Sequence, residues 1–166
     1  MPSQIEPIEG PEHIPHPLAI ITVGDPEDPK RRNGMTAAWI SRVSWNPPLV
    51  MVSIAPSRHT LQLIKEFGEF AVNIVSERLA DAASNIFGYL SGRDTDKFAR
   101  AGIEPERARA VRAPVIREAP VVLECRVRQY VAAGDHVLVL GEVVAAYRNS
   151  DEKPVTWLNG QVRRLL

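Results

Sequence analysis

A single cysteine, Cys125, stands in 166 residues, which excludes an intrachain disulfide framework and any CxxC redox or metal pair. An excess of one charge is missing too. Lys plus Arg and Asp plus Glu number 20 each, so no broad field recruits nucleic acid or an anionic membrane, and partners must be met at local sites. No apolar run approaches the ~20 residues that span a bilayer. The opening MPSQIEPIEGPEHIPHP lacks the basic start and apolar block of a secretory leader, so a cytosolic setting is expected. GxGxxG, phosphate-loop and GxSxG motifs are absent as well, which removes a dinucleotide-binding Rossmann unit, a phosphate-loop NTPase and an α/β-hydrolase elbow. His13 and His16 are spaced like metal ligands, but no carboxylate or thiol pair completes a set in their proline-rich arm, and no metal site is expected there.

What remains fits one compact domain over 1–166, long enough to bury roughly 68–70% of its unfolded surface. Residues 1–16, with four prolines, read as an extended arm. Strands are expected over Pro17–Gly24, Met35–Ser44, Leu49–Ala55, Phe70–Val75, Val137–Tyr147 and Val155–Leu158. In Leu123–Arg128 apolar and charged residues alternate strictly, the mark of a strand with one buried and one solvated face, which turns Cys125 inward as an inert core thiol. Helices are expected over Leu61–Phe67 with Thr60 as cap, over about Glu77–Leu90, and over Asp94–Ala101 before Gly102. Glu104–Arg117 carries four arginines and little periodicity, and reads as a surface excursion. Short turns between most strands favour a mainly β, antiparallel barrel with flanking helices.

The most informative stretch is NGMTAAWISRVSWNPPLVMVSIAPSRHT, Asn33 to Thr60. Two apolar strands are split by Asn46-Pro47-Pro48, and the second ends in a polar, cationic turn before a helix. The small Ala37 and Ala38 let a flat ring approach the backbone, while Ser57, Arg58 and Thr60 offer donors for a phosphate. The segment resembles the flavin reductase-like, FMN-binding split-barrel proteins, a group that includes flavoredoxins and archaeal ferric reductases. Three later stretches agree, in the family's order: FAVNI at Phe70–Ile74, SGRDTDKF at Ser91–Phe98, and GDH at Gly134–His136 running into VLVLGEV.

The resemblance implies a split β-barrel, a homodimer whose interface helps enclose the flavin, FMN as cofactor and NAD(P)H as co-substrate. It implies ring contacts from Met35, Thr36, Ala37, Ala38 and Ser53, a phosphate cradle of Ser57, Arg58 and Thr60, and a second wall at Lys97 and Phe98. It sets His136 on the open flavin face, where it orients NAD(P)H as the candidate catalytic residue. Each of these has a plainer reading: a helix start for Arg58 and Thr60, a half-buried strand for Met35–Trp39, a solvated helix start for Ser91–Phe98 and a surface side chain for His136. The expected activity is hydride uptake from NAD(P)H with electrons passed to free flavin, ferric complexes or a partner redox protein. The alternatives are an FMN electron carrier without its own nicotinamide site, and a split barrel that stores haem or flavin.

Overall fold

The computed structural model describes residues 1–165. In chain order the elements are β1 (His16–Pro17), β2 (Ala19–Gly24), β3 (Arg32–Ala37), β4 (Ile40–Ser44), β5 (Leu49–Ile54), α1 (His59–Phe67), β6 (Glu69–Ile74), α2 (Glu77–Ala82), α3 (Lys97–Ala101), β7 (Glu106–Arg107), β8 (Pro114–Val115), β9 (Val121–Ala133), β10 (His136–Arg148), β11 (Val155–Leu158) and β12 (Gln161–Arg164). A π-helical turn, Ala83–Phe87, continues α2.

Seven strands form one antiparallel sheet in the order β3-β2-β6-β9-β10-β5-β4. Its two edge strands, β3 and β4, follow each other in sequence, and the sheet curls until they lie near each other without closing the ladder. Just before β4, Ser53 N–H donates to the Trp39 carbonyl at 3.0 Å and extends the β4–β5 ladder by one pair. The architecture is an antiparallel split barrel. Pairing of β9 with β10 shifts register at Leu140/Gly141 and Val143/Ala145, and such bulges bend long strands around a barrel. Gly141 has to be glycine, because a Cβ there would stand 2.6 Å from the Phe70 ring.

Alternation along β2 explains why all of it is buried. Ala19, Ile21 and Val23 face the barrel interior with Phe70, Val72 and Cys125, while Ile20 faces an outer core under α2 with Leu79 and Phe87. Both faces are covered, so no polar residue is needed to meet water. Cys125 is fully buried, and burial, with Glu124 adjoining, pushes its thiol up to about 12. That is the inert core thiol expected from the alternation.

Five local expectations are corrected. The strand expected over Met35–Ser44 breaks at Ala38-Trp39 into β3 and β4, which take the two opposite edges of the sheet. The N-terminal arm forms a 3-10 turn at Gly10–His13, and His16 pairs with Trp157 in a small sheet of β1, β11 and β12. Helix α1 begins two residues early, at His59, so Arg58 occupies the cap position and Thr60 lies in the first turn. Helix α3 starts at Lys97. Glu104–Arg117 is no surface excursion: Val111, Ala113, Val115 and Ile116 are buried, and β7 and β8 pair within it. It covers the face of β9 expected to be solvated, so Glu124 is fully buried and accepts backbone N–H bonds from Arg109 at 2.8 Å, Ala110 at 2.6 Å and Val111 at 3.2 Å.

Candidate functional site: a cationic cleft at the start of a helix

Beyond Ile54 the chain makes a tight turn in which Arg58 N–H donates to the Ala55 carbonyl at 3.0 Å. Arg58 is extended, and α1 begins behind it. The backbone N–H groups of His59 and Thr60 find no acceptor among the described residues, as expected for a first helical turn. The partial positive charge of a helix start is therefore open to an anion.

A cleft of about 370 Å³ lies over this turn, lined by Asn33 and Met35 of β3, Ala55 and Ser57–Thr60, the Tyr89–Arg93 segment and Lys97. Three of these side chains are cationic and none is a carboxylate. Arg58 is exposed, and among the described residues its guanidinium has no hydrogen bond or ion pair. Arg93 donates to the Ser57 carbonyl at 3.2 Å, which ties the second wall to the turn. Lys97 is only 4% exposed, and its ammonium donates to the carbonyls of Gly34 at 2.7 Å and Phe87 at 3.1 Å. Burial, and then the nearby Arg58 charge, lowers its pKa from 10.5 to about 8. His59 is likewise shifted down, by burial and then Arg93, and its Nδ1 is buried without a partner. On the floor, Asn33 Nδ2 donates to Thr60 Oγ1 at 2.9 Å.

Of the residues singled out in the sequence, Met35, Ser57, Arg58, Thr60 and Lys97 thus meet at one cleft. Others lie elsewhere for clear reasons. Thr36 alternates to the opposite face of β3 and donates to the Ala83 carbonyl at 2.5 Å, so its hydroxyl is committed to the π-helical turn. Ala37 is buried in the barrel core and Ala38 packs on the outer one. Phe98 does not reach the cleft: it is fully buried, with its ring edge-on to Phe87 at 5.3 Å. Ser53 is half-buried on β5 opposite Leu138. His136 opens β10, and since Val137 pairs with Ile54, its backbone falls level with Ala55, but His136 does not line the cleft. Its Nδ1 lies 2.7 Å from the Asp135 carboxylate, and its ring centroid lies 4.7 Å from that of the half-exposed Trp39. Asn33, His59, Tyr89 and Arg93 were not singled out. Arg93 sits inside SGRDTDKF, where it was passed over, and only its place two residues before Met35 on a period-2 strand signals Asn33.

The donor set fits the phosphate of a flavin nucleotide. An unpaired guanidinium, two free helical N–H groups and a carboxylate-free wall are what a dianion needs and a neutral ligand does not. Edge strand β3 leaves one row of backbone groups outside the ladder along Asn33–Ala37, of which Lys97 takes the Gly34 carbonyl.

The fold is an open antiparallel split barrel with a cationic turn beside its edge strand. Comparison with known proteins narrows this. Residues 12–166 match the flavin reductase like domain model. The chain is 36% identical to the NADH:riboflavin 5'-phosphate oxidoreductase of Streptomyces pristinaespiralis over 138 residues, covering 83% of this chain and 74% of that protein. The solved NADH:FAD oxidoreductase SgcE6 of Streptomyces globisporus C-1027 is similar across 100% of this chain and 99% of its own, with a TM-score of 0.88 and 26% identity. An uncharacterized protein of Aeropyrum pernix is 34% identical over 90% of this chain, which spans only 57% of that protein's length. The chain belongs to the flavin reductase-like family.

Proposed function

We propose that this chain is an FMN-binding, NAD(P)H-dependent oxidoreductase of the flavin reductase type, acting as one domain and as a homodimer in the cytosol. The observation that carries the reading is the convergence of Arg58, Arg93, Lys97 and the start of α1 on one cleft without a carboxylate. The relatives of Streptomyces, described as acting with NADH on riboflavin phosphate or FAD, support the same chemistry.

The chemistry supplied by bound FMN is acceptance of a hydride from NAD(P)H and release of electrons to free flavin, a ferric complex or a partner enzyme. This chain's residues bind and orient. Arg58 and the free N–H groups of His59 and Thr60 hold the phosphate, with Ser57 and Thr60 hydroxyls completing the cradle. Met35 and the backbone of β3 through Ala38, together with Ser53, border the space for the ring. Lys97 adds a positive charge beside it. His136, its ring tilted against that of Trp39, orients the nicotinamide, and such positional control contributes several kcal/mol to a transfer step.

The protein purified with flavin is expected to be yellow and to release FMN on denaturation, identified by chromatography. Release of FAD alone would overturn the cofactor, and no flavin binding at micromolar concentration would overturn the function. Elution at twice the monomer mass is expected from the dimer.

A further inference from the structure

We propose that Asn33 is a positioning residue that fixes the direction of the Thr60 hydroxyl, and through it the preference of the cleft for phosphorylated over unphosphorylated flavin. The inference rests on the reading that the Ser57–Thr60 turn holds the phosphate. Asn33 and Thr60 are 3% and 1% exposed, and the amide nitrogen of Asn33 donates to Thr60 Oγ1 at 2.9 Å. A hydroxyl has one proton and two lone pairs, whereas an amide NH₂ only donates. With one lone pair taken by Asn33, the Thr60 proton points away from the amide, and no protein acceptor among the described residues receives it. It is free for a ligand oxygen in the cleft that Thr60 lines. Were the amide reversed, its oxygen would take the Thr60 proton, and the hydroxyl would turn a lone pair toward an incoming phosphate.

Gly92 decides between the two orientations. A Cβ on Gly92 would stand 2.2 Å from Asn33 Oδ1 and 2.9 Å from its Nδ2. A Cα–H of Gly92 therefore faces the amide oxygen, which is buried and has no hydrogen-bond partner among the described residues. A C–H group is a weak donor suited to a carbonyl oxygen and unsuited to an N–H. Flipping the amide would set N–H against C–H, so Gly92 holds the oxygen on its own side and the nitrogen on Thr60. Any side chain at position 92 would displace the amide. The cleft thus uses two residues remote from each other in sequence to preset one hydroxyl.

Binding of FMN and of riboflavin is measured separately, by calorimetry, for the wild type, Asn33→Ala, Thr60→Val, the double variant, Gly92→Ala and Arg58→Ala. Asn33→Ala and Thr60→Val are each expected to weaken FMN about 5- to 10-fold, the size of one lost hydrogen bond, and riboflavin less than about twofold. The double variant should bind FMN no worse than Thr60→Val, because Asn33 acts through that hydroxyl. Gly92→Ala, which removes no polar group, should shift FMN the same way, and it carries the test if Asn33→Ala does not fold. Equal weakening of both ligands, or an undiminished Asn33→Ala effect in the Thr60→Val background, overturns the proposal. If Arg58→Ala lowers FMN selectivity while Asn33→Ala and Gly92→Ala do not, Asn33 alone is refuted. If Arg58→Ala also leaves selectivity unchanged, the phosphate reading fails with it.

Discussion

The ammonium of Lys97 donates to the Gly34 carbonyl at 2.7 Å, so a charged group with 4% exposure clamps the edge strand of the barrel from the floor of the cleft. Burial, reinforced by Arg58, brings its pKa down to about 8. In the unfolded chain a lysine titrates near ~10.4, so between pH 8 and that value the unfolded state binds more protons and stability rises with pH. An anion in the cleft acts the other way, raising the Lys97 pKa, so the complex holds a proton that the free protein has lost. FMN affinity is therefore expected to fall as pH rises above about 8, by at most about tenfold per unit. Riboflavin affinity should stay flat. Lys97→Met should abolish the alkaline fall, as titration of binding against pH will show.

Among the described residues Arg58 has no hydrogen-bond or ion-pair partner to lose. Arg58→Ala is expected to remove charge-assisted bonds worth about 1.5–3 kcal/mol, or roughly 10- to 150-fold in FMN affinity, with the thermal midpoint and riboflavin binding unchanged. Calorimetric titration of both ligands checks it. Equal loss for the two would assign Arg58 to the ring or the fold.

Glu124 carries a stability prediction. Burial raises the pKa of its carboxyl, but the N–H groups of Arg109 and Ala110, the Tyr147 hydroxyl and the N–H of Val111 together outweigh this and hold it below its usual 4.5. A depressed carboxyl contributes stability that is present above its unfolded value and lost as pH falls through the folded one. Glu124→Ala leaves those N–H groups unpaired under the 104–117 segment. It should lower unfolding free energy by about 2–5 kcal/mol at neutral pH and flatten the acid limb below about pH 4.5, as read by urea melts across pH.

His136→Ala should retain FMN, since His136 lies by Trp39 and does not line the cleft over the Ser57–Thr60 turn. Reduction of the bound flavin by NAD(P)H should slow, while dithionite, which needs no nicotinamide site, reduces it at the wild-type rate. Stopped-flow comparison of the two reductants decides. An unchanged NAD(P)H rate would remove His136 from the mechanism.

Most strands and the cationic turn before α1 were legible in the sequence because both rest on local signals: apolar runs, the double proline and a polar turn before a helix; the break of Met35–Ser44 into β3 and β4, the two sheet edges, was not. Residues whose role depends on what packs over them were not. Glu124 alternates as though facing water, and only the 104–117 segment folding back makes it an anchor. That segment hid because Val111, Ala113 and Ile116 are buried without helical or strand period. Phe98 and Lys97 are neighbours in one motif, yet one enters the outer core and the other the cleft, since α3 starts at Lys97 and turns successive side chains about 100° apart. Asn33 escaped notice because its partner Thr60 is 27 residues away.

The central claim, that this protein is a flavin reductase and not a passive carrier, is tested most directly by adding NADH or NADPH anaerobically to the FMN-loaded protein and following the yellow absorbance. The account predicts rapid bleaching with at least one of the two nucleotides, and return of the colour when an electron acceptor is added. Persistence of the yellow band with both nucleotides, while dithionite bleaches it, would contradict the account and leave an FMN carrier in its place.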